Sequence, residues 1–127
     1  MTETNKKGEE IINDLIDNYG FFNTYYKKSA LWNKESTLLE LEEDEILLIL
    51  HLIEVDRENR RKGEGTETMK LLCNLADKYE KEIRLKIDDW FGTPKKILIK
   101  FYSKFGFKYN EDEEIYIRKN RALKAYK

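Results

Sequence analysis

The feature that most constrains this chain is its long apolar stretch at residues 46–55. Charged residues make up 39% of the 127 residues, so a run of Ile, Leu and Val this long has to be buried when the chain folds. Its length suits a strand at the centre of a sheet. The most apolar part, residues 46–53, is interrupted by His51 and is far too short to span a bilayer. The sequence therefore predicts a buried central strand.

The remaining segments alternate between helical and strand patterns. Helical spacing of apolar residues predicts helices at 8–19, 66–81 and 94–105, and alternation predicts strands at 37–41, 83–87, 107–109 and 115–117. The aromatic segment 21–32 is ambiguous, and a second short helix is one interpretation. This order favours an α/β fold (an α+β mixed sheet) with a central mixed β-sheet flanked by helices. We expect a single domain over 1–127, with a helical N-terminal segment at 1–35 and a core at 36–119.

Composition argues against several classes of function. The 24 basic and 25 acidic residues nearly cancel, so the chain lacks the basic excess that is typical of nucleic-acid binding. The single cysteine, Cys73, rules out an internal disulfide and a Cys-based zinc site, and His51, as the single histidine, leaves a His-rich metal site unsupported. No apolar run opens the chain, so we expect a cytoplasmic protein without a signal peptide or a membrane span.

A charged, glycine-containing segment connects the central strand to the next predicted helix. A helix start presents backbone N–H groups without internal partners, and its dipole favours anions. Glycines let the backbone approach a phosphate closely, and basic side chains neutralise its charge. The alternative is a solvated charged loop closed by two glycines. The candidate anion ligands are Arg60, Arg61, Lys62, Gly63, Gly65 and Thr66.

Two motifs resemble those of the GNAT superfamily of acyl-CoA-dependent N-acetyltransferases. The pattern V-x-x-x-x-R-x-x-G-x-G at 55–65 resembles the acyl-CoA motif, and F-Y-x-x-x-G-F at 101–107 is similar to the segment that ends a later helix of the family. The resemblance covers about 47–119. It implies a GNAT-like fold, acetyl-CoA as cofactor, acetyl transfer to a primary amine, and Ile53 and Val55 among the CoA-binding residues. The sequence departs from the family pattern at Glu64, between the glycines, and at Lys95.

Amine acetylation requires a base for the amine and an acid for the leaving thiolate. His51 is the candidate base because histidine ionises near neutrality, and the resemblance supports its position; the alternative is a core histidine bonded to a neighbour. Simple alternation places it in line with Ile49 and Ile53, although a bulge would reverse this assignment. Glu54, on the opposite face by alternation, is the reserve base. Tyr102 matches the family tyrosine that reaches the CoA sulfur and is the candidate acid, with aromatic packing as the alternative.

The acceptor site is the least defined by sequence. Asp88, Asp89 and Trp90 follow a predicted strand and can hold a cationic amine, such as a protein lysine or a small amine; a solvated turn is the alternative. The aromatic segment 21–32 could cover the acceptor cleft, form a homodimer contact or belong to the core. A second hypothesis is a catalytically weak or inactive protein-binding module, including a phage-type inhibitor of a host protein, because residues 107–112 resemble a segment of small phage-encoded acetyltransferases.

Overall fold

A computed structural model describes residues 8–23, 30–32, 37–55, 63–87 and 94–120. Within these ranges the strands form one sheet in the order β1-β2-β3-β4-β5-β7-β6, in which β4 and β5 pair in parallel and the other neighbours pair antiparallel. The expected α/β fold with a mixed sheet and flanking helices is confirmed. The elements are α1 (Glu10–Asn18), β1 (Phe22–Asn23), β2 (Ala30–Trp32), β3 (Thr37–Glu43), β4 (Leu47–Val55), α2 (Glu64–Lys78), β5 (Glu82–Leu85), α3 (Lys95–Ser103), β6 (Lys108–Asn110) and β7 (Ile115–Arg118).

The helices pack against one side of the sheet, which we call the covered face. On β3 and β4 the side chains of Leu39, Leu41, Leu48 and Leu50 are buried, and they join one hydrophobic cluster with residues of α1, α2 and α3. The intervening residues on these strands are more exposed, as Ile49 illustrates. Because side chains alternate along a strand, these residues define a second side of the sheet, the open face.

The aromatic segment 21–32 differs from the second short helix that was one interpretation of it. Its described parts are β1 and β2, which pair with each other through Phe22 and Trp32. Leu31 of β2 pairs with Leu39 and is fully buried, so β2 extends the covered face. Aromatic residues fit a pleated, half-buried surface well, which is why this segment forms strands where tertiary pairing is offered. The interpretation as a helix is wrong at the two ends of the segment, which are strands, and residues 24–29 lie outside the described ranges.

A buried ion pair ties α1 to the edge of the covered face. The Lys81 side chain is 1% exposed and the Glu43 side chain 0%, with 2.6 Å between Nζ and Oε2. Lys81 also donates to Glu10 at 2.8 Å, and Glu43 accepts the backbone N–H groups of Ile11 and Ile12, each at 2.9 Å. The carboxylate therefore satisfies two of the N–H groups that a helix start leaves unpaired. Burial raises the pKa of Glu43, and the hydrogen bond from Lys81 opposes this rise.

Candidate functional site

The two central parallel strands separate partway along their length. β4 pairs with β5 from Leu47 to Leu50, opposite Glu82 to Leu85, whereas its pairing with β3 continues to Val55. In the described ranges, the second half of β4 therefore has no strand partner on its β5 side. Backbone N–H and C=O groups that lack a strand partner need another partner, so this edge can hydrogen-bond an extended ligand.

The separation begins at a β-bulge. Consecutive β3 residues Glu40 and Leu41 pair with Leu52 and Leu50, which leaves His51 as an extra residue on β4 without a partner in the register. Such a bulge kinks a strand and increases its local twist, and bulges are frequent next to active sites. His51 thus lies where β4 bends and where its pairing with β5 ends.

The bulge also changes which side chains share a face. Ile53 and Val55 pair with the covered-face residues of β3, and Ile53 packs against the core cluster. Glu54 pairs with Leu38, one of the more exposed positions of β3, and so lies on the open face. The expectation from simple alternation, which aligned His51 with Ile53 and placed Glu54 opposite, is wrong because the extra residue shifts the period by one.

His51 bonds to a glutamate on the neighbouring strand. Its Nε2 atom lies 2.8 Å from Oε2 of Glu42 on β3, and the two side chains are 46% and 63% exposed. Glu42 pairs in register with Ile49 and so lies on the open face. Its bond to His51 places the histidine side chain on the same face. The alternative of a core histidine is wrong: the ring does have a neighbour, but it is accessible from solvent.

The start of α2 has the geometry of an anion site. The helix begins at Glu64, two residues earlier than expected, so Gly65 and Thr66 lie in its first turn. The first helical bond runs from the Glu67 N–H to the Gly63 carbonyl at 2.9 Å, which leaves the preceding N–H groups without an acceptor in the helix. Gly63 adopts φ 86°, a left-handed conformation that favours glycine, and a Cβ atom there would meet nothing within 4 Å.

The other predicted ligands lie outside the described ranges. These comprise the basic side chains expected beside the phosphate and the side chains expected to hold the acceptor, and their roles stay predictions. They are Arg60, Arg61, Lys62, Asp88, Asp89 and Trp90.

Tyr102 lies on α3 and is 7% exposed. Its ring makes edge-to-face contacts with Phe101 and Phe107, with centroids 5.1 Å and 5.6 Å away. Burial raises the pKa of the phenol to about 12, so it keeps its proton at neutral pH. No contact joins Tyr102 to His51: the tyrosine belongs to the core of the covered face, and the histidine lies on the open face.

The end of α3 gives the second sequence motif a structural explanation. The Phe107 N–H donates to the Tyr102 carbonyl at 3.4 Å, the Gly106 N–H donates to the Ser103 carbonyl at 3.1 Å, and Gly106 has φ 94°. These are the two bonds and the left-handed residue of a Schellman helix end, which a hydrophobic contact between Tyr102 and Phe107 accompanies. Packing at the helix end is therefore a second explanation of the motif Y-x-x-x-G-F, beside the family resemblance. The Tyr102 hydroxyl is the part of the motif that packing does not require.

Cys73 is buried on α2 at 6% exposure, as expected for a small apolar residue. Among the residues with described positions, no group of His, Cys, Asp and Glu side chains is arranged to hold a metal ion. None of the described helices is both long and apolar enough to cross a membrane.

Comparison with known proteins identifies the fold. No protein-family model and no curated protein matches the sequence. Among solved structures, the anti-CRISPR protein AcrVA5 aligns with a TM-score of 0.51 and 18% identity over 77% of this chain and 97% of its own. Ard1 from Thermoplasma volcanium aligns with a TM-score of 0.52 and 21% identity over 73% of this chain and 71% of its own.

The GNAT-family N-acetyltransferase YhbS from Escherichia coli, solved in complex with CoA, is a further match. It aligns with a TM-score of 0.50 and 12% identity over 87% of this chain, which spans 65% of the length of YhbS. At these identities the likeness concerns the fold. The chain has the GNAT fold, as the two sequence motifs indicated.

Proposed function

We propose that the protein is an acetyl-CoA-dependent N-acetyltransferase that acts on a primary amine, either a protein lysine or a small cationic amine. The observation that carries the proposal is the separation of β4 from β5 at the His51 bulge, combined with the start of α2 at Glu64, the next described element after β4. A GNAT-fold neighbour is known in complex with CoA. The proposal places the protein in the cytoplasm, with acetyl-CoA and an amine acceptor as its partners.

The described residues suit the two chemical parts of acetyl-CoA. The pyrophosphate would accept hydrogen bonds from the first-turn N–H groups of α2, including those of Gly65 and Thr66, with Arg60 to Lys62 neutralising its charge. The amide-bearing arm would lie along the unpaired edge of β4 as an added strand does. From His51 to Val55 this edge is about 13 Å long.

The proposed chemistry divides between His51 on the open face and Tyr102 on the covered face, which would reach the thioester from the two sides of the gap between β4 and β5. Acetyl-CoA supplies the acetyl group as a thioester, and the amine nitrogen must lose a proton as it bonds to the acetyl carbon and the carbon–sulfur bond breaks. His51 would accept that proton. Tyr102 has a pKa of about 12, well above the reference value of about 8.5 for a thiol, so it would hydrogen-bond the leaving sulfur and keep its own proton. A solvent proton then completes the free thiol.

A pair of matched variants at Gly63 tests the phosphate site. Asp and Asn have nearly the same shape and both tolerate the left-handed region, so Gly63→Asp and Gly63→Asn differ mainly by one negative charge in the open space at the helix start. In calorimetry we expect micromolar acetyl-CoA binding by the native protein, weaker binding by Gly63→Asn because its side chain enters the space that the phosphate would occupy, and binding at least about tenfold weaker again by Gly63→Asp because of its charge.

The outcomes separate cleanly. Native affinity in both variants would move the pyrophosphate away from this helix start. Absence of binding by the native protein would overturn the enzyme proposal. Tyr102→Phe extends the test, because it keeps the ring contacts of the helix end and removes only the hydroxyl.

A protein-binding module is the second candidate function. The observation that favours it is the alignment with AcrVA5, an anti-CRISPR protein, over 97% of that chain. A module that acts by docking, including a phage-type inhibitor of a host protein, would keep its effect on the partner in Gly63→Asp and Tyr102→Phe. An enzyme would lose that effect together with the acetylated lysine that mass spectrometry detects on the partner.

A further inference from the structure

We propose that Glu42 is a positioning residue for catalysis: it holds the His51 ring with Nδ1 directed to the amine and stabilises the charge that the ring acquires. This inference rests on the proposed acetyltransferase function and extends it to a β3 residue just beyond the strand predicted at 37–41. Its basis is the cross-strand contact at the point where β4 bends.

The contact determines which ring nitrogen is free. A neutral imidazole has one N–H donor and one acceptor nitrogen, and a carboxylate can only accept. The 2.8 Å distance between Nε2 and the Glu42 carboxylate therefore assigns the proton to Nε2, because that nitrogen has to donate. Nδ1 is left with its lone pair and is the atom that can accept a proton.

The bulge brings the two side chains together. In the register before the bulge, Glu42 faces Ile49, two residues before His51. The extra residue bends β4 at His51, and the open-face pairing resumes only at Leu52 with Glu40. The His51 ring is thereby placed diagonally across from Glu42, within reach of a long side chain. A base held by a carboxylate on a neighbouring element follows the general logic of catalytic triads.

The cation in register across the sheet, Arg84, does not compete for Glu42. Arg84 pairs in register with Ile49, the residue that faces Glu42. Its guanidinium is held instead by Glu82 at 2.6 Å and by Glu113 at 2.8 Å. Glu42 therefore remains directed to His51.

The proton balance of the step is complete. The acceptor reacts as its neutral amine, after one proton has been released to water. The amine N–H bond then breaks as the nitrogen–carbon bond forms and the carbon–sulfur bond breaks, and this second proton passes to Nδ1. The ring then carries a positive charge, with Nε2–H bonded to the Glu42 carboxylate, which stabilises that charge. The His51 side chain is 46% exposed, so the imidazolium can return its proton to water after the reaction.

A double-mutant cycle tests the inference on the full chain, with acetyl-CoA and either spermidine or a blocked lysine peptide as acceptor. We expect His51→Ala to lower kcat roughly 100-fold. Glu42→Ala should lower kcat about 5-fold with KM unchanged, and it should have no further effect in the His51→Ala background. Glu42→Gln, which keeps an acceptor oxygen without the charge, should fall between. Asp112→Ala is the control, because it removes an exposed carboxylate from the turn between β6 and β7, away from both His51 and Arg84.

A spectroscopic readout is independent of activity. Because the chain has one histidine, the imidazole ¹⁵N signals report His51 alone. We expect a hydrogen-bonded Nε2–H signal in the native protein and in Glu42→Gln, and its loss in Glu42→Ala.

The results distinguish two kinds of failure. Acetylation by the native protein with additive effects of the two substitutions would overturn the role of Glu42 and leave the enzyme proposal intact. If the native protein acetylates neither acceptor and does not bind acetyl-CoA, the proposed function fails and the role of Glu42 falls with it, whatever the ¹⁵N signals show.

Discussion

Glu42 and Glu43 are neighbours on β3, yet they serve opposite faces of the sheet. The Glu43 side chain is fully buried against Lys81 and closes the start of α1, whereas the Glu42 side chain is 63% exposed and bonds His51. Strand alternation alone separates them. The comparison shows how one carboxylate contributes to stability and the next remains accessible for chemistry.

The two faces should therefore respond differently to the same kind of substitution. Removing a partner on the covered face leaves a charge that water cannot reach, and removing one on the open face leaves a charge that water solvates. Loss of a partner should therefore cost most on the covered face and least on the open face.

The largest effect is expected for Lys81→Ala. This change leaves the Glu43 carboxylate buried without its cation and should lower the free energy of unfolding by about 4 kcal/mol, measured by urea denaturation. The double variant Lys81→Ala with Glu43→Gln should recover part of the loss, because the buried group is then neutral. A loss below about 1 kcal/mol for the single variant would show that water reaches Glu43.

Leu48→Ala and Ile49→Ala compare adjacent apolar residues on the two faces of β4. Leu48 is fully buried, whereas Ile49 is partly exposed. We expect a loss of about 3 kcal/mol for Leu48→Ala and about 1 kcal/mol for Ile49→Ala, measured by urea denaturation. Equal losses would mean that the open face is as deeply buried as the covered face.

Acid should weaken the α1–α2 contact through Asp14. Hydrogen bonds from Asn18, Tyr79 and Lys78 lower the pKa of Asp14 below the ordinary value of 3.8. A lowered pKa stabilises the fold above the unfolded value, and this contribution is lost as the pH falls through the folded one. Thermal unfolding between pH 5 and about pH 2 should show that the free energy of unfolding falls by an amount on the order of 1 kcal/mol. In Asp14→Asn the free energy of unfolding should decline less steeply over the same range.

Glu43 contributes to the same pH profile with the opposite sign. Burial raises its pKa above the ordinary value of 4.5, so its contribution is complete below that value and is lost as the pH rises through the folded one. Glu43→Gln should therefore steepen the decline in acid. A native profile as shallow as that of Asp14→Asn would contradict the assignment to Asp14.

The smallest effect is expected for Glu113→Ala on the open face. The Arg84–Glu113 pair is partly exposed, with side chains 29% and 46% accessible, and Arg84 keeps its bond to Glu82. The loss in chemical denaturation should stay below about 1 kcal/mol. A larger loss would imply that part of the chain covers this face and excludes water from the Arg84–Glu113 pair.

Much of the architecture was readable from the sequence. The apolar run at 46–55 predicted the central strand, helical spacing predicted α1, α2 and α3, and the two motifs indicated the GNAT fold. These features depend on local periodicity and on spacing along the chain, so the sequence alone determines them. The Schellman end of α3 at Gly106 belongs to the same class, because it needs only one residue that tolerates a positive φ.

The details of the site were decided by tertiary structure. Alternation could not reveal the bulge at His51, because an extra residue is defined only by the register of the partner strand. The same register brings Glu42 to His51, nine positions apart in sequence. Pairing among β1, β2 and β3 turns the described ends of the ambiguous aromatic segment into strands. Local preference determined the other strands, and pairing between strands decided which side chains meet.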